Sequence, residues 1–442
     1  MKIQLSDSFT YRKLLKFTFP SIIMMIFTSI YGVVDGIFVS NYAGKTPFAA
    51  INLIMPVFFI IGAIGFMIGT GGSALVARFL GEKRDKKANE TFSMLTYVSL
   101  VFALVVSFLG FFFIEPISRF LGAEGRMLKD CVLYGKILLP SMFAFILQNE
   151  FQAFMIVAEK PQMGLLVTVA AGVTNILLDA LFVAVFKWGL LGAAIATAIS
   201  QLVGGSVPLI YFIFAKSSPL HLVRAPLDIK SLLKACTNGS SEMMTNISMS
   251  LVTILYNFQL MRFAGENGIA AYGVIMYVNF IFISVFIGFC VGSAPIISYH
   301  YGAANHNELK KLLKMSLLII FVFSVCMTLI SLLLATPLSK IFVGYDDVLL
   351  SITVRGFIIY CFSFMLAGFN IFGSSFFTAL NNGLVSAIIS FLRTLLFQVV
   401  AVAILPIFFK LDGVWFSIIV AELLSLVVVY IYIVKMRTRY KY

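Results

Sequence analysis

The chain has 442 residues, is 61% hydrophobic and 12% charged, and carries a formal net charge of +13. A soluble domain is about 45–50% apolar and about 25% charged, so a water-soluble globular protein is excluded. The apolar runs are continuous over about 20–30 residues, which excludes a β-barrel, and the basic residues fall in alternate loops rather than in one patch, which excludes a nucleic-acid binder.

The first apolar run follows Lys2, Arg12, Lys13 and Lys16 and is too long for the core of a cleaved signal. It contains Pro20 and, well inside, Asp35. A carboxylate in hydrocarbon costs roughly 2.5–3.5 kcal/mol unless it is protonated, paired or wetted. Pro20, Gly32 and Gly36 make this helix easy to bend. Twelve helical spans are expected, at 14–40, 47–77, 90–114, 129–157, 162–186, 190–214, 237–261, 268–298, 312–335, 350–379, 383–409 and 412–435. Short connections such as 43–47, 80–87, 158–161, 216–219 and 301–308 separate them.

Taking both termini and every second loop as one side, that side holds 21 Lys and Arg against 8 in the opposite loops. Both termini are therefore expected in the cytoplasm, with the chain in a plasma (bacterial inner) membrane. The five cysteines lack C-x-x-C spacing and read as small core residues. There is no P-loop, and His221, His300 and His306 lack metal-ligand spacing, so neither an enzyme nor a metal site is expected.

An internal repeat organises the chain. AGKTPFAAINLIM at 43–55 matches AGENGIAAYGVIM at 264–276 with six of thirteen positions identical, a shift of 221. The same shift places Gly71 on Gly292, Gly81 on Gly302 and Gly192 on Gly413. Six spans per half is an even number, so the halves are parallel repeats related by an axis along the membrane normal. The expected division is an amino-terminal lobe at 1–215, a linker at 216–236 and a carboxyl-terminal lobe at 237–442.

The shift also compares polar groups. Asp35 falls on Tyr256, Asn175 on Leu396 and Asp179 on Val400. Asn175 and Asp179 share a helix face at i, i+4, as do Tyr31 and Asp35. Two carboxylates close together in a low dielectric cannot both stay charged cheaply, and an amide can serve either protonation state. This is the chemistry of a proton or sodium site, with a static polar network as the alternative. Gln148, Asn149 and Gln152 on span 4, and Glu242, Asn370 and Arg393 in the second half, are candidates for a substrate cavity. Met24 and Met155 are apolar candidates for its wall. Arg393 and Glu422 could pair with each other or meet substrate, and Glu150 has no assigned place.

These motifs resemble the multidrug and toxic compound extrusion (MATE) family over essentially the whole chain. The carrying stretches are FPSIIMMIFTSIYGVVDGIFVSNYAG, GTGGSALVARFLGEKRDKKAN, VTNILLDALFV, GLLGAAIATAISQ and APIISYHYGA. The chain looks most like the bacterial and archaeal members, MepA-like exporters included. The resemblance implies an all-α membrane protein with twelve transmembrane helices in two pseudo-symmetric six-helix lobes. It implies export of amphipathic, often cationic compounds driven by inward proton or sodium flow, with no other cofactor. It assigns Asp35, Asn175 and Asp179 to a cation site, with Tyr31, Tyr134 and Thr197 as polar neighbours and Pro20 as the hinge. Ile156 stands where many relatives have Arg, and span 10 offers Asn370 where some sodium-coupled relatives have a carboxylate, which favours coupling in the amino-terminal lobe. A lipid-linked precursor flippase and a specific metabolite exporter are the alternatives. The partners expected are small-molecule substrates and membrane lipids, and the protein is expected to be a monomer.

Overall fold

The computed structural model describes residues 3–39, 42, 45–214 and 218–442. Of the expected connections, positions 43–44 and 216–217 lie outside them. The amino-terminal helices are α1 (Tyr11–Phe38), α2 (Lys45–Gly81), α3 (Asp85–Phe120), α4 (Gly125–Leu138), α5 (Met142–Val157), α6 (Pro161–Asp179) and α7 (Leu190–Phe214). The carboxyl-terminal ones are α8 (Ile229–Gly302), α9 (His306–Val343), α10 (Asp347–Cys361), α11 (Phe364–Ala379), α12 (Gly383–Phe391) and α13 (Phe397–Tyr440). Helices satisfy every backbone group within one segment, which is what a chain this apolar needs in lipid.

Among the described residues, nine helices are long and apolar enough to cross a membrane, or ten if α10 and α11, bent by 50°, count as one span. The 74 residues of α8 cannot be one crossing. At 1.5 Å per residue they would run on the order of 110 Å against a hydrocarbon core of about 30 Å. The chain turns inside α8 at Gly265 (φ 61°) and inside α13 at Lys410 (φ 51°), where loops between spans are expected. The architecture is thus consistent with twelve crossings.

The two lobes repeat in their backbone. Lys83 and Ala304, 221 residues apart, both turn at positive φ (58° and 53°), as do Gly189 and Lys410 (56° and 51°). The seam between lobes obeys the same two-fold relation. Gly71 lies against Gly239 and the Ala235 carbonyl, and Gly292 lies against Thr18, the counterpart of Gly239. Gly81 meets the Tyr299 carbonyl, and Gly302 meets the carbonyl of Arg78, the counterpart of Tyr299. A pair of equivalent surfaces facing each other across an axis gives this reciprocity. A methyl at Gly71 would strike backbone on α8 that cannot yield. Gly71→Ala should therefore pry the lobes apart at this end, and maleimide should label half-buried Cys236 severalfold faster. An unchanged labelling rate in a folded variant would contradict so tight a seam.

The linker is shorter than expected, because α8 already begins at Ile229. Asp228 caps it, its carboxylate accepting from the Ser231 N–H at 3.1 Å. The segment before it is strapped to α3. Asn89 Oδ1 accepts from the His221 N–H at 2.8 Å, Ser93 Oγ from the Val223 N–H at 2.8 Å, and Lys87 Nζ donates to Asp228 at 2.6 Å. The hydrogen bonds from Lys87 and then Ser231 hold the Asp228 carboxyl below the usual carboxylate range.

Candidate functional site

Two polar sites stand inside the helices, one in each lobe. In the amino-terminal lobe α1 packs on α6 because Gly172 leaves room for the rings of Phe27 and Tyr31. In turn α7 is pinned to α6 by Ser200, whose hydroxyl donates to the Ala171 carbonyl at 2.9 Å. This packing brings Asp35 of α1 opposite Asn175 and Asp179 of α6, within interaction range of both. Asn175 and Asp179 are buried at 2% and 0% exposure.

The site is assembled without being saturated by the protein. Asp35 Oδ1, Asn175 Nδ2 and both carboxylate oxygens of Asp179 are buried and find no hydrogen-bond partner outside the trio itself. A buried carboxylate without a partner is costly, so the chemistry of this group suits a proton or a small cation. Tyr134 of α4 lies near the Thr197 hydroxyl and near both carboxylates, and Tyr31 lies next to Asp35. Thr197 donates to the Ala193 carbonyl at 2.9 Å. All six residues of the sequence-derived coupling set therefore meet in one place. Just past Asp179 the helix widens into a π-turn over Ala180–Val185, a distortion frequent at functional sites. Among the described residues, no cluster of three or more His, Cys, Asp or Glu is placed to hold a metal ion.

The carboxyl-terminal copy keeps a polar contact at this place but no carboxylate. The Tyr256 hydroxyl donates to Gln398 Oε1 at 2.9 Å. The ungapped sequence shift hides Gln398, since it falls on Leu177. A π-turn over Leu392–Leu396 adds a residue and rotates the next helical turn by about 100°, toward Tyr256.

The second site is a cavity of about 230 Å³ lined mostly by the carboxyl-terminal lobe, whose wall includes Glu242, Arg393 and Glu422, with Thr70, Ser73 and Ala153 of the amino-terminal lobe closing one side. The Arg393 guanidinium grips Glu422 through Nη2 at 2.8 Å and Nε at 2.9 and 3.0 Å. The side chains are 13% and 3% exposed. Asn370 Nδ2 adds a hydrogen bond to Glu422 Oε2 at 2.6 Å. Glu242 faces Arg393 without reaching it as an ion pair. The apolar wall carries Tyr256, Tyr272, Tyr360, Met249 and Met276. A hydroxyl ladder closes one side. Ser374 bonds Ser386 and Ser390 at 2.9 Å each, and Thr378 bonds Ser386 at 2.7 Å. The counterparts 221 residues earlier are Ala153, Leu165, Val169 and Val157, so the ladder belongs to one lobe alone.

The other cavity candidates lie elsewhere. Met24 and Met155 are buried and meet at Gly164. Gln148 is buried against Gly204 of α7, and Asn149 donates to the Gly62 carbonyl at 3.3 Å. Gln152 is buried with Oε1 unpartnered, and Asn370 is buried behind Glu422. None of the six lines this cavity. Glu150 faces α3, accepting from the Thr96 hydroxyl at 3.2 Å. Pro20 is buried inside an uninterrupted α1.

The comparisons agree with this arrangement. The MatE family model matches residues 20–181 and again residues 243–404. The multidrug export protein MepA of Staphylococcus saprophyticus is 27% identical over 327 residues, covering 73% of this chain and 72% of that protein. MepA of Staphylococcus aureus is 28% identical over 324 residues, covering 72% and 70%. A solved outward-facing structure of a multidrug resistance MATE family transporter of the MOP superfamily superposes with a TM-score of 0.92 at 22% identity, covering 98% of each chain. One family pattern, met twice in tandem with the repeat and carried on this fold, decides the assignment: the chain belongs to the MatE family of integral membrane transporters.

Proposed function

We propose that the protein is an ion-coupled antiporter, proton-driven in preference to sodium-driven, that exports amphipathic cationic compounds by alternating access. The observation that carries this reading is the buried trio Asp35, Asn175 and Asp179, whose orphaned polar atoms call for a proton or small cation. Two carboxylates and an amide can share one proton, which favours that ion. Its arrival would remove one of the trio's two negative charges and change what it costs to keep α1, hinged at Pro20, against α6. An ion shifts such an equilibrium only by its differential affinity for the two states.

The exported compound is assigned to the carboxyl-terminal cavity, whose aromatic and methionine wall suits an apolar body and whose acids suit a cationic head. The relatives named as multidrug export proteins support that substrate class. Arg393, neutralised by Glu422, speaks against a pyrophosphate-bearing lipid as cargo. In this reading the protein is a monomer of the plasma membrane, and the excess of Lys and Arg on one side supports placing both termini in the cytoplasm.

Ethidium efflux from proteoliposomes, with a proton or a sodium gradient imposed separately, tests the reading. An outwardly directed ethidium flux driven by inward protons is the expected result. Stimulation by sodium alone would replace the proton, and no response to either gradient would overturn ion coupling.

A further inference from the structure

Residues 3–10, ahead of α1, do not hang free. Residues 5–9 run across the seam between lobes, with Leu5 and Phe9 buried at 2% and 0% exposure. At one end the Leu5 N–H donates to Glu159 Oε1 of the amino-terminal lobe at 3.0 Å. At the other, Glu308 in the first turn of α9 collects the Phe9 N–H at 2.7 Å and the Ser8 hydroxyl at 3.1 Å. Lys311 donates to Ser8 Oγ at 3.2 Å, and the Asp7 carbonyl sits 3.2 Å from His300 Nε2. Phe9 stands edge-on to His300 and to Phe17 of α1.

The repeat gives this contact a partner. Glu308 is the counterpart of Lys87, and Asp7 the counterpart of Asp228. The ion pair Lys87–Asp228 at 2.6 Å therefore fastens the equivalent place on the other side of the axis, through a different pairing of groups. Each lobe is entered through a segment that is fastened to the first turn of a helix in the opposite lobe. Parting the lobes at this end must pull Phe9 from Glu308 and Asp228 from Lys87.

We propose that residues 5–9 form a releasable latch, fastened by Glu308, that holds the lobes together at the end bearing both termini and must let go once per transport cycle. Removing the charged acceptor loses at least one charge-assisted hydrogen bond, enough to raise the parted population roughly tenfold or more. The proposal rests on the alternating-access reading and adds the device that biases it.

Spin labels at Lys86→Cys and Lys310→Cys, exposed on α3 and α9 in a background with the five native cysteines replaced, report the separation at this end. In membrane nanodiscs, Glu308→Ala and Phe9→Ala should each enrich the longer distance. A wild-type distance that responds to the imposed gradient, with Glu308→Ala indistinguishable from it, sinks the latch alone. A wild-type distance that never changes sinks the alternating-access reading and the latch with it. A second arm keeps the fold intact: Ser8→Cys and Lys311→Cys joined by a short cleavable bis-methanethiosulfonate. Ethidium efflux should stop on cross-linking and return with dithiothreitol, and full efflux by the cross-linked protein would overturn the latch.

Discussion

Asp35→Asn and Asp179→Asn variants should each lose gradient-driven ethidium efflux by roughly tenfold or more while keeping wild-type expression and retention volume. The substitution preserves shape and hydrogen-bonding capacity but removes the change of charge. That change is worth roughly 2.5–3.5 kcal/mol to a group held in the membrane, about two powers of ten in an equilibrium. A neutral amide at either position cannot report the arrival of a proton, so the ion gradient loses its grip on the helices. The repeat supplies an internal control. Tyr256→Phe breaks the neutral hydrogen bond to Gln398 at the corresponding place. It should cost about 0.5–1.5 kcal/mol of stability and, since Tyr256 also lines the cavity, can weaken ethidium binding, while the efflux that remains should still follow the imposed gradient. Wild-type efflux by Asp35→Asn, or equal losses of the gradient response in Asp35→Asn and Tyr256→Phe, would refute coupling in the amino-terminal lobe.

The second large effect is on stability. Glu422→Ala should destabilise the protein by about 3–5 kcal/mol, because it strands the buried Arg393 charge, while the Asn370 amide keeps its bond to the residue 422 carbonyl. Melting followed by size-exclusion retention after heating should show the midpoint several degrees lower. Replacing both partners, Arg393→Met with Glu422→Met, should recover most of that loss, since no uncompensated charge remains. The double variant should still lose affinity for cationic dyes, which separates the structural role of the pair from its place in the cavity wall. A Glu422→Ala protein that melts with the wild type would show that water reaches Arg393 well enough to replace its partner.

Three features were legible in the chain because they rest on short-range physics. Continuous apolar runs require helices in lipid, whatever they pack against. A repeat of 221 residues requires two similar lobes, and their backbone turns obey it to the residue at Lys83 and Ala304. Asp35, Asn175 and Asp179 stood out because a carboxylate in hydrocarbon has to be explained by a partner. Their convergence depended on small residues: Gly172 lets α1 approach α6.

Two arrangements lay beyond the reach of a helical wheel. Gln148, Asn149 and Gln152 look like cavity amides on a helical wheel, yet α5 is buried almost throughout, so a polar face there meets other helices. Gln398 was hidden because the π-turn over Leu392–Leu396 rotates the helix beyond it, a rotation that an ungapped sequence shift does not record.

By itself, the sequence determined the helical membrane class, the two-fold repeat, the positive side and the identity of the costly buried acids, all of which come from composition and spacing along one chain. Only the tertiary structure decided that Arg393 belongs to Glu422, that the cavity is lined mostly by the carboxyl-terminal lobe, and that residues 5–9 cross the seam to Glu308. Those are contacts between segments from 29 to 299 residues apart. Such pairings are set by which helix faces meet, and local propensity carries no record of that.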